Sequence, residues 1–163
     1  MTTQEMLVKC LQSSGQMLNM TLADFSEAEM LARPVPNANH ALWQLGHLIV
    51  SESQLLTEQG AGMPELPVGF AARFTAQTAP LNEASKFGSK AELLGVFERV
   101  HNASSAFAKA LSAADLDRPT SNARLKDMAP NTAALLMLAC NHIAMHMGQW
   151  QVIRRKLSKP ILF

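Results

Sequence analysis

His142 and His146 stand four residues apart in a long apolar stretch, and the run from Asn131 to Lys156 contains no proline and one internal glycine, Gly148. On a helix that spacing sends both imidazoles from one face about one turn apart, close enough to grip a single divalent cation. Leu135, Leu138, Ala139, Ile143, Gln149, Trp150, Ile153 and Leu157 recur with them at the three-and-four spacing of a buried stripe, so both rings are expected to point inward. Each ring nitrogen then needs a partner, because an unpaired buried donor or acceptor costs roughly 1–3 kcal/mol. A shared metal ion meets that need for both rings.

A third ligand must come from another element. His47 is the first choice, since Gly46 beside it lets another backbone or a ligand approach closely. The leucine-rich stripe of the same segment lies nearly opposite His47, which shares its face with Trp43, Val50 and Ser51. His40, seven residues earlier on that face, is the substitute ligand or a supporting group, and His101 reads as a structural or surface residue. Spacing alone leaves the third ligand open.

Other reactive side chains are weaker candidates. Glu52 follows His47 by five residues, about 140° around a helix, and reads as a partner for another helix more readily than as a general base. Gln149 shares the face of His142 and His146 and is expected to position a ligand, but cannot act as a base. Cys140 lies about 200° around from His142 and belongs to the core. Trp43 and Trp150 are expected at the mouth of a pocket or in the packing.

Four helices would carry these residues. The first opens at the capping box Thr2-x-x-Glu5 and runs to about Asp24. The second spans about Asn39 to Gln59. A long connection from Gly60 to Gly88, broken by Pro64, Pro67 and Pro80, forms either a wall of the site or a plain crossover. The third helix opens at a second capping box, Ser89-x-x-Glu92, and continues to Leu111. A polar connection after Asp115-Leu116-Asp117-Arg118-Pro119 leads to Asn131, the cap of the fourth. The fold class is therefore all-α: one domain over residues 1–163, a four-helix bundle with long crossover connections.

Composition narrows the partners. A formal charge of +1 over 163 residues exerts no strong pull on nucleic acid or an anionic membrane. The basic residues Arg154, Arg155, Lys156 and Lys159 gather where they complement the dipole of the last helix. No apolar run reaches the roughly 20 residues of a membrane span. The first residues lack the basic and apolar segments of a signal peptide, and two cysteines within helices fit a reducing compartment, so a cytoplasmic location is expected.

The segments Trp43-Gln44-Leu45-Gly46-His47-Leu48-Ile49-Val50-Ser51-Glu52 and Asn141-His142-Ile143-Ala144-Met145-His146-Met147-Gly148-Gln149, with Ser89 to Pro119 between them, resemble the DinB-like superfamily, which includes the YfiT-type metal-dependent proteins. The resemblance implies a four-helix bundle holding one divalent ion on His47, His142 and His146. Zinc or nickel is the foremost expectation, with iron or manganese compatible with histidine ligation. Activities assigned within that superfamily include thiol-dependent transferases and isomerases that use mycothiol or bacillithiol.

A three-histidine site with an open position serves two reactions: transfer of an acidified thiol to an electrophile, or hydrolysis by an acidified water. The lack of an obvious base favours a thiol-dependent transferase over a hydrolase. The expected partners are a small-molecule substrate, with a low-molecular-weight thiol as cosubstrate, and a second copy of the chain, since the apolar Ile161-Leu162-Phe163 points to a homodimer. The competing readings are a non-catalytic bundle fastened by its ion and a metal-free, dimeric binding or interaction module.

Overall fold

In a computed structural model the described residues are 1–162; Phe163, part of the apolar tail expected at a dimer contact, lies outside them. Four long helices form the body: α1 (Thr3–Leu22), α2 (Ala41–Glu58), α3 (Lys90–Ala110) and α5 (Thr132–Lys156). Their ends are set by local chemistry. Thr2 and Glu5 close a reciprocal capping box on α1, and the Asn131 side chain accepts from the Ala134 amide to start α5, each cap being worth about 1 kcal/mol. Gly60, at φ +93°, follows the last turn of α2 in a backbone conformation that other residues resist.

The long helices form a ring in the order α1, α3, α2, α5, each packed on its two neighbours. Two hydrogen bonds fix α2 antiparallel to α5: Gln44 meets His146 near one end, and Gln59 meets Thr132 at the other. Apolar side chains fill the interior in two clusters. The larger holds Leu42, Leu45, Ile49, Phe97 and Trp150; the smaller holds Leu7, Leu11, Leu56, Leu135 and Cys140. Burying each of the larger side chains contributes about 1.5–3 kcal/mol.

The crossover between α2 and α3 belongs to the core. Its Phe70, Phe74 and Phe87 are fully or almost fully buried against the outer side of α2. That packing explains how α2 buries its leucine stripe and the His47 side at once. Gly46 is required for it, because a Cβ there would overlap the ring of Phe74.

Several local expectations change. Between the end of α3 and the polar connection expected after Pro119 stands a one-turn helix, α4 (Ala113–Asp117), started by a capping box of Ser112 and Asp115. Ser89 caps α3, but Glu92 does not reach back to complete a box, because Arg73 of the crossover draws its carboxylate away. The second helix starts later than expected: His40 stands outside it and caps it, with its Nδ1 accepting from the Trp43 amide.

The basic residues ending α5 are not a free patch. Arg154 is buried and donates to the Thr21 carbonyl, to Asp24 and to the Pro160 carbonyl; Lys159 donates to the Asp24 carbonyl and pairs with Glu29. Among the described residues no helix is long and apolar enough to cross a membrane.

Candidate metal centre

His47 from α2 and His142 and His146 from α5 come together. One ring nitrogen from each lies within 4.8 Å of the other two, which is the geometry of a site that could hold a metal ion. The rings of His47 and His142 meet edge to face at 5.1 Å, and those of His47 and His146 at 5.5 Å. His146 is buried, whereas His47 and His142 are half-buried and face a cleft.

The protonation pattern suits a cation. Burial pushes His47 down to about 4, with the neighbouring charge of His142 adding to the effect, and lowers His142 too. His146 falls to about 3 from burial first, then from the charges of His142 and His47. All three rings are therefore neutral near pH 7 and offer lone pairs.

Gln44 decides which nitrogen of His146 offers its pair. The Gln44 amide Nε2 donates to the Asn39 carbonyl at 2.5 Å, which turns Oε1 toward His146 Nδ1 at 2.9 Å. Nδ1 must then carry the hydrogen, leaving Nε2 as the acceptor. His142 Nε2 lies 3.2 Å from it. The space between these two nitrogens can take one proton or one cation, and the donor set fits a divalent ion bound by imidazoles.

His47 is held differently. Its ring stacks on the Trp43 indole, and the indole N–H donates to Thr78 Oγ1 at 3.2 Å in the crossover. Trp43 thus lies behind a candidate ligand rather than at a pocket mouth, and Trp150 is wholly buried in the core. Of the two expected positions, mouth or packing, both tryptophans take the second.

A cleft of about 490 Å³ opens from His47 and His142 and runs between α2 and α5. Its inner walls include Leu55, Leu138 and Met145, and its outer wall comes from Leu125 and Met128 in the connection before α5. That second connection, not the longer crossover, therefore walls the site.

The remaining candidates do other work. His40 is fully buried, caps α2 and touches the edge of Phe87 at 4.9 Å; burial, with the charge of Arg33, pushes it down to about 4. It is not among the clustered histidines. His101 Nδ1 lies 2.8 Å from Glu52 Oε1 and its Nε2 lies 2.7 Å from the Leu11 carbonyl. With a Glu52 oxygen and the Leu11 carbonyl as acceptors both ring nitrogens donate, an arrangement that favours the imidazolium form of His101. Burial alone would lower this histidine, but the hydrogen bond and charge of Glu52 outweigh it and the net direction is upward.

Gly15 makes room for that ring, since a Cβ there would sit 2.6 Å from His101 Cδ2. Glu52 is thus the helix partner that its position suggested. Gln149 borders a separate surface depression with Pro34 and Asn39, and the supporting bond expected of it is made by Gln44 instead. The signal for Gln44 was its place three residues before His47, on the same face of α2. Burial pushes the Cys140 thiol up to about 12, which keeps it protonated and unreactive.

No curated protein matches the chain. A family model, that of the DinB superfamily, matches residues 11–150, a stretch that includes all three clustered histidines.

Proposed function

The chain belongs to the DinB superfamily, and from that membership we propose that it is a metal-dependent enzyme that binds one divalent ion, zinc or nickel foremost, on His47, His142 and His146 and transfers a small thiol to an electrophile. The observation that carries this reading is the convergence of three imidazoles, two of which, His47 and His142, line a cleft of mostly apolar surface. Such an ion would supply a Lewis acid able to acidify a thiol or a water molecule.

The chain's own side chains favour the thiol. Hydrolysis calls for a base within hydrogen-bond reach of the reacting water. Glu52 gives one oxygen to the buried His101 pair, and the one carboxylate lining the cleft, Glu58, lies three helical turns from His47. A thiol is acidic enough to lose its proton to solvent once stabilised, so it needs no such base. His47 and His142 would orient the reacting atom, Gln44 would hold His146 in one tautomer, and the walls from Leu55, Leu125 and Leu138 would exclude water.

The second reading is an inert ion that fastens α2 to α5. It draws on the origin of the histidines in two helices that Gln44 already ties together. In either case the working unit is proposed to be a homodimer, supported by the exposed apolar side chains of Met137, Val152 and Ile161; a monomer mass in light scattering would remove that part.

Elemental analysis of the protein purified without added metal, beside His47→Ala and His142→Ala, tests the core of the proposal. About one equivalent in the wild type, loss in both variants, and thiol-dependent consumption of an electrophile by the wild type alone are expected. Metal retained by His47→Ala would refute the ligand set. A retained metal with no thiol chemistry, together with a large fall in melting temperature on chelation, would favour the fastening role.

A further inference from the structure

The cleft exposes mostly apolar surface, with polar side chains set along it and a carboxylate at its far end. Between the histidines and Glu58, α2 advances eleven residues, about 16 Å at 1.5 Å per residue. Over that distance the walls are mainly leucine and methionine, relieved by Ser51, Gln54 and Asn141, and Glu58 is the one charged residue lining the cleft. Among the described residues no lysine or arginine lines it.

Glu58 is also held in place. Asn122 Nδ2, from the opposite wall, donates to Glu58 Oε2 at 2.7 Å, which fixes the carboxylate across the end of the cleft. Glu58 takes part in none of the ion pairs of the described residues. Arg124 does not line the cleft, but it lines an adjoining depression together with Glu58, Ser121 and Asn122. Glu58 is exposed, and its carboxylate is the negative charge that the cleft lining presents.

We infer that the cleft selects an elongated, largely apolar substrate whose far end carries an ammonium group, and that Glu58, braced by Asn122, is the residue that recognises it. An anionic end would face Glu58 with no cation in the lining to receive it, and would be disfavoured. The length between the histidines and Glu58 matches an extended chain of about ten to twelve carbons. The inference rests on the reading that the reacting atom sits at the three histidines, although Glu58 would discriminate charge whether or not a metal is bound.

Calorimetric titration of the zinc-loaded protein with two matched thiols, an ω-amino and an ω-carboxy alkanethiol of about ten carbons, tests it. The amino thiol should bind about two- to five-fold more tightly than the carboxy thiol, the advantage of one exposed charge pair. Glu58→Gln should erase the difference and leave the zinc content unchanged. Decylamine and decanoate, which carry no thiol, should show the same preference in displacing an apolar fluorescent probe.

Thiols that bind with equal affinity, a preference for the carboxy thiol, or a preference that survives Glu58→Gln would overturn the inference and leave the metal reading intact. Decylamine selectivity without binding of either thiol would retain the role of Glu58 and count against the metal reading. Failure of both probe types to bind would overturn the role of Glu58.

Discussion

The Trp43 indole lies flat against the His47 imidazole, with ring centroids 5.0 Å apart and planes 7° from parallel. His146 is oriented by a hydrogen bond from one side; His47 is oriented by a surface. Because the indole N–H is anchored on Thr78, the orientation of His47 depends on the crossover between α2 and α3 as well as on its own helix. A flat aromatic ring fixes the ring plane but leaves the tautomer free, so His47 can present either nitrogen.

Trp43→Ala should therefore weaken zinc binding about ten-fold, the lower end of the range for groups that support a ligating histidine. Trp43→Phe, which keeps a flat ring, should restore most of it. Competition with a chromophoric chelator measures both. Equal losses in the two variants would mean that the indole serves packing alone.

Replacing Gln44 acts on the tautomer. In Gln44→Leu, His146 loses the acceptor for its Nδ1 hydrogen, and zinc affinity should fall about 10–100-fold. The d–d spectrum of the cobalt-substituted protein should shift at the same time. An unchanged spectrum and affinity would exclude Gln44 from the site.

The pair of His101 and Glu52 carries a pH signature. The pKa of His101 is raised on folding, so the folded chain holds this proton more tightly than the unfolded one. Its stabilisation is complete below about pH 6.5, the unfolded value, and is lost as the pH rises through the folded value. The melting-temperature gap between wild type and His101→Gln should accordingly be widest in mild acid and narrow in base. A gap that widened with pH would reverse the assigned charge state.

Gly46→Ala places a methyl group on the ring of Phe74. Forcing that group into a filled core should cost about 1–3 kcal/mol in chemical denaturation. Combining it with Phe74→Leu should cost less than the sum of the two single changes, because the smaller side chain gives way. Strict additivity would show that the two residues do not meet.

The elements readable from the sequence were those with local signatures. Apolar residues at helical spacing located four long helices, and Thr2, Ser89 and Asn131 marked the starts of three of them through bonds that span three residues. The four-residue spacing of His142 and His146 was equally local. What escaped was decided between elements. Gln44 faces His146 from a residue 102 positions away, and Glu52 finds His101 from 49 away. No periodicity reports such encounters.

The cleft was hidden for the same reason. Asn122, Leu125 and Met128 have no repeating pattern and gain meaning only when the connection folds back over α2. α4 was missed because a single turn is too short for its apolar spacing to show, although Ser112 and Asp115 did carry the capping signal.

Two of the three clustered histidines, and the helix that closes the ring between α1 and α2, all reside on α5. Until α5 has been synthesised, the sides of α1 and α2 that it covers lack that partner. Closure by the late-arriving helix requires contacts between distant parts of the chain, such as Arg154 with Thr21, which are 133 residues apart. Such late, long-range closure slows folding and prolongs exposure of those sides to aggregation or to a chaperone. His47 meets neither His142 nor His146 before then, so the candidate metal site is completed together with the fold.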